Sequence, residues 1–166
     1  MLTILVKLFK ALNSEQSTSQ LAIAVCLAII LGFTPLFSLH NLIIILIALW
    51  FRVNLSLLIV SYPLFAFIGF LLSSVFESVG LSILQSEGLV SLWESFFNTL
   101  FGRWSNFYYS GVIGSFVVSL TVAMIAFPLV KKMVQLYREK WLSRIEQFKI
   151  VKTLKATRFW EMYSST

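Results

Sequence analysis

The 166-residue chain contains one cysteine, one histidine, three prolines and seven acidic residues. Each scarcity removes a class of function. A single thiol, Cys26, allows no intramolecular disulfide. Inside an apolar run it reads as a small buried hydrophobe rather than a reactive group. His40 has no Cys, His or carboxylate companion nearby with which to complete a metal site. The sequence has no Gly-rich phosphate loop, no pair of catalytic carboxylates and no Ser-His-Asp set. The chain is therefore expected not to be an enzyme and to use no cofactor. Charge is scarce too: 12% of residues carry one, against about 25% in soluble domains.

The remainder is apolar. Hydrophobic residues make up 58% of the chain and the mean hydropathy is +0.89, which places it in the membrane class. The net charge of +6 is uneven, with nine of 13 basic residues after Pro128. A basic tail beside an apolar span sets orientation or touches anionic lipid, so no nucleic-acid partner is expected.

The most informative stretch runs from Leu21 to Phe51. It is apolar except where Thr34-Pro35-Leu36-Phe37-Ser38-Leu39-His40-Asn41 interrupts it. An uninterrupted span needs roughly 20 apolar residues. A polar, proline-containing turn between two shorter pieces marks a broken or re-entrant element, tolerated in lipid only where protein or water satisfies its backbone. Ser17-Thr18-Ser19-Gln20 has the form of a capping box, and Gly32 with Pro35 is expected to stop the first piece. Asn41 to Phe51 would measure about 16 Å as a helix, roughly half a bilayer.

The pattern thus predicts an all-α polytopic membrane protein. Residues 1–130 form the membrane domain: an interfacial helix at 2–12, a broken hairpin at 20–51, a span at 53–72 kinked at Pro63, an outer amphipathic helix at 88–104 and a span at 107–130. Residues 73–85 leave the membrane. The helix at 88–104 lies on the bilayer or packs on the protein. Residues 131–166 form a basic cytoplasmic helical tail. Gly111, Ser115, Ser119 and Ala123 recur every four residues, a small-residue stripe that lets another helix approach. If the broken element re-enters or crosses twice, 12 of 13 basic residues fall on one side with only Arg103 on the other. That puts both termini in the cytoplasm of a cell with an inner membrane.

Gly32-Phe33-Thr34-Pro35, His40, Arg52-Val53-Asn54 and Pro63 resemble a bacterial family known as domain of unknown function 2062. The resemblance covers roughly residues 10–75. Lys10 to Glu15 and Ser38 to Asn41 resemble a short subgroup of about this length, from bacteria with outer membranes and often encoded beside a second uncharacterised gene. Tyr62 stands where the family usually has Asn before the later proline. The resemblance implies no activity.

The candidate functional residues are therefore Gly32, Thr34, Pro35, His40, Asn41, Arg52 and Asn54. Polar groups at membrane depth are functional candidates, and they equally cap broken helices. Arg52 is an interfacial anchor or an anion contact. Two functions fit. One is an anchor or subunit of an envelope complex, partnered by membrane lipid and by a second copy or a second membrane protein. The other is a small transport or lipid-handling module whose site is the broken helix.

Overall fold

In the computed structural model of the chain, residues 17–51 and 53–142 are described, and every regular element among them is helical. The expected interfacial helix at 2–12, Arg52 and the tail beyond residue 142 lie outside the described residues.

Helix α1 spans Thr18–Phe33, and the capping box forms as read. Ser17 Oγ accepts from the Gln20 amide at 3.2 Å, and the Gln20 side chain accepts from the Ser17 amide at 3.0 Å. Helix α2 spans Leu39–Trp50, α3 Leu55–Leu71 and α4 Ser73–Leu84. A short 3-10 turn at Glu87–Leu89 leads to α5, Val90–Phe97, and α6, Leu100–Ser105. Helix α7 spans Ser110–Leu136 and ends in a π-helical turn at Tyr137–Leu142.

Helix α1 is the central element, packed between α3 and α7. Its buried face (Leu21, Ala24, Ala28, Leu31) meets Leu57 and Leu58 of α3 and Ala123 and Val134 of α7. Small side chains on α1 allow this close approach on two sides. Gly32 and Gly69 mark one crossing. A Cβ on Gly32 would sit 2.7 Å from the Phe65 Cβ, and one on Gly69 would sit 2.9 Å from the Gly32 oxygen. The C-terminal halves of α1 and α3 therefore lie together, so the two helices run the same way and α2 returns between them. Helix α4 runs antiparallel to α7. A Cβ on Gly80 would overlap the Ser110 carbonyl, and one on Gly114 would overlap the Phe76 carbonyl.

Several sequence boundaries need correction. Residues 73–85, expected outside the membrane, form a helix that packs within the bundle. Helix α4 follows α3 across a 69° bend at Leu72 and packs along α7. The expected single helix at 88–104 is two, because Thr99 Oγ1 accepts from the Gly102 amide at 3.0 Å and caps a fresh start. The last span begins at Ser110, not Phe107. The αL conformation of Asn106 (φ 59°) turns the chain into it, in a backbone region that Asn tolerates. Helix α7 continues past residue 130 to Leu136.

Ser110–Glu139 is the one continuous helix among the described residues long and apolar enough to cross a membrane, and the bent α3–α4 pair passes the same test jointly. The bundle has two distinct ends. Ser17, Asn54 and Lys131–Lys132 lie at one, and the Thr34–His40 turn, α6 and the start of α7 lie at the other.

Candidate functional site

Thr34, His40 and Asn41 form a buried polar cluster where α1 gives way to α2, beneath an exposed turn at residues 35–37. A helix C-terminus leaves carbonyls without intrahelical partners, and this turn supplies donors for them. The Thr34 amide donates to the Ile30 carbonyl at 3.2 Å, ending α1. Asn41 Nδ2 donates to the Pro35 carbonyl at 2.9 Å, which fixes the orientation of its amide. The Thr34 hydroxyl lies 2.7 Å from the Ile30 carbonyl and 2.8 Å from Asn41 Oδ1. It has one proton for two acceptors. Ile30 already receives the Thr34 amide, so Asn41 Oδ1 is the acceptor that depends on the hydroxyl. Asn41, 1% exposed, thereby ties the first turn of α2 to the end of α1.

The tautomer of His40 follows from the same bookkeeping. Ser38 Oγ donates to the Pro35 carbonyl at 2.9 Å. It must therefore accept from His40 Nε2–H, also at 2.9 Å. His40 Nδ1 is then a bare acceptor, and it is buried without a hydrogen-bond partner. Rings enclose the imidazole: Phe107 stacks on it with centroids 5.4 Å apart, and Phe116 lies at 5.0 Å. His40 thus fastens the start of α2 to the start of α7.

The other candidates divide. Gly32 is a close-packing point, and α1 ends one residue after it at Phe33, between Gly32 and Pro35. Asn54 lies away from the turn and caps α3, its Oδ1 accepting from the Leu57 amide at 2.9 Å. Pro35 contributes the carbonyl on which Asn41 and Ser38 converge. Arg52 lies outside the described residues. Among the described residues no group of three or more His, Cys, Asp and Glu could hold a metal.

The small-residue stripe is a packing face at three of its four positions, within the chain itself. Ser115, Ser119 and Ala123 are buried within the chain, and Cys26 Sγ donates to the Ala123 carbonyl at 3.3 Å. The Ser115 and Ser119 hydroxyls turn back onto the Val112 and Phe116 carbonyls. Gly111 is exposed, with nothing within 4 Å of an added Cβ. Gly114 takes the packing role instead. Sequence reasoning missed the Gly80–Gly114 crossing because α7 is clasped on two faces, and a single stripe describes only one. The signal was the second small residue, Gly114, directly beside Ser115.

These features define a class: an all-helical protein built on a long apolar helix and a sharply bent apolar pair, with its polar groups buried at a turn. The chain belongs to the family described as "Uncharacterized protein conserved in bacteria (DUF2062)", which matches over residues 4–142. No curated protein and no solved structure matches it.

Proposed function

We propose that the protein is a multi-pass inner-membrane protein, with both termini in the cytoplasm, that serves as a non-enzymatic anchor or subunit of an envelope membrane complex. The distribution of polarity carries this reading. Large apolar side chains such as Trp50, Phe70 and Met124 cover the outside of α2, α3 and α7. The buried polar side chains among the described residues are Thr34, His40, Asn41, Asn54, Ser105, Ser115 and Ser119, none of them an acid, lysine or arginine. Soluble monomers rarely expose contiguous apolar area on this scale. In hydrocarbon it is the expected surface, and polar groups must pair internally.

The charge distribution supports the orientation. Lys131 and Lys132 lie at one end of α7, and Arg103 precedes its other end, about 30 Å away along the helix. With α1, α2, the α3–α4 pair and α7 as passes, the basic end is cytoplasmic. The polar turn supports an anchor over solute transport. Its Thr34 and Asn41 groups are engaged with one another and with the backbone, so they act as a clasp. With the α7 stripe occupied, the exposed face of α2 through Ile47 and Trp50 is the surface we assign to a second membrane protein or a second copy, with lipid as the solvent around it.

Reporter fusions at Gln85 and Thr166 test the orientation: an external signal at Gln85 and a cytoplasmic one at Thr166 are expected. Cysteines at Ile47 and Trp50, cross-linked in membranes with a bismaleimide, test the docking face. Higher-mass adducts are expected there and not at Met124→Cys. Equal yields at all three sites would leave α2 with lipid alone.

A further inference from the structure

The start of α2 and the short helix α6 form an open cleft at the end of the bundle away from Lys131. Leu39, Leu100, Phe101 and Trp104 line it, and its volume is about 240 Å³. All four lining residues are apolar or aromatic. The volume lies below the ~300 Å³ at which sites for drug-sized ligands begin, so it suits one narrow chain. Arg103 follows Leu100 by three residues and so shares a face of α6 with it. Its guanidinium is exposed and makes one hydrogen bond, Nη2 donating to the Asn98 carbonyl at 3.3 Å. A guanidinium has five donors arranged in a fork that matches phosphate. The other basic residues of the described backbone, Lys131, Lys132, Arg138 and Lys140, lie in the last turns of α7 and the π-helical turn after it.

We propose that this cleft binds one acyl chain of an anionic phospholipid, with Arg103 holding the phosphate. The inference rests on the membrane reading above. Charge complementarity fixes the class of ligand. A lone cation beside an apolar slot matches a phosphate joined to a hydrocarbon chain. Trp104, an amphipathic ring suited to the headgroup level, sets the depth at which the two parts meet. The cleft adjoins the turn through Leu39, but the turn's polar groups Thr34 and Asn41 are engaged with one another and with the backbone.

The test uses the full chain in mild detergent, incubated with equimolar phosphatidylglycerol and phosphatidylcholine and examined by native mass spectrometry. Wild type is expected to retain phosphatidylglycerol over phosphatidylcholine by about five-fold. Arg103→Gln should bring that ratio close to one while total bound lipid persists. Leu100→Trp, which fills the cleft, should lower the retention of both lipids. Leu64→Trp, on the outer face of α3, should change neither. Circular dichroism confirms that each variant keeps its helix content, and Leu39→Trp fills the cleft from the opposite wall if Leu100→Trp does not fold. A wild-type ratio near one, a ratio unmoved by Arg103→Gln, or full retention in both cleft-filling variants would overturn the proposal. Failure of the wild type to fractionate with membranes would overturn the membrane reading instead, so the two failures are distinguishable.

Discussion

Asn41 is the residue on which the α1–α2 turn depends. It donates to the Pro35 carbonyl and accepts from Thr34, so an apolar replacement removes two hydrogen bonds, while the Pro35 carbonyl keeps Ser38 Oγ and the Thr34 hydroxyl keeps the Ile30 carbonyl. Asn41→Leu should lower unfolding stability in mild detergent by about 0.5–1.5 kcal/mol per lost hydrogen bond. Thr34→Val should cost about 1–3 kcal/mol, because the buried Asn41 Oδ1 then loses the hydroxyl that donates to it, although the Ile30 carbonyl keeps the Thr34 amide. Chemical unfolding curves in detergent check both, and equal stability of Asn41→Leu and wild type would mean that the clasp is not formed. Glycine offers a second contrast. Gly114→Ala drives a methyl into the Phe76 carbonyl and should destabilise by about 1–3 kcal/mol as α4 is pushed away. Gly111→Ala meets open space and should be neutral or up to about 1 kcal/mol more stable. The same unfolding curves separate the two. Sequence spacing favoured Gly111, because period four is visible in one dimension. Which of two neighbouring small residues lies under a crossing helix depends on where that helix crosses.

At the scale of elements, the region between the last two long helices is governed by caps. Thr99 ends one amphipathic stretch and begins another. Asn106, in the left-handed region, stops α6 and aims the chain into α7. Asn106→Val should cost about 1–2 kcal/mol, because a β-branched side chain is poorly accommodated there. Asn106→Gly should be tolerated. Thermal unfolding of the purified protein checks the pair. The capping box at Ser17 was legible because its signal is contained in four consecutive residues. The break at Thr99 was not, since the apolar period from Leu89 to Trp104 continues across it. The 69° bend at Leu72 was equally hidden. Leu71, Leu72 and Ser73 carry no proline or glycine, and the bend places α4 along the glycine-bearing face of α7. Close backbone packing at Gly80 and Gly114 supports the bend, and no local residue announces it.

At the scale of the whole molecule, the apolar outside and uncharged polar inside lead to a further expectation. Alkaline carbonate should leave the protein in the membrane pellet, whereas a peripheral protein held by its basic residues would be released. Release into the supernatant would remove the basis for a multi-pass reading. By itself the sequence determined the all-helical class, the interruption at residues 34–41, the family, and the segregation of Arg103 from the other basic residues. Composition, hydropathy and adjacent-residue chemistry are local or additive properties, so a linear reading captures them. Only the tertiary structure decided that α4 stays with the bundle, that Ser115, Ser119 and Ala123 are occupied within the chain, and that His40 is held between Phe107 and Phe116. It alone placed Leu39 opposite Leu100 and Trp104. Those outcomes depend on residues distant in sequence meeting at helix crossings. The crossings are set by where two backbones can approach, and no single segment encodes that.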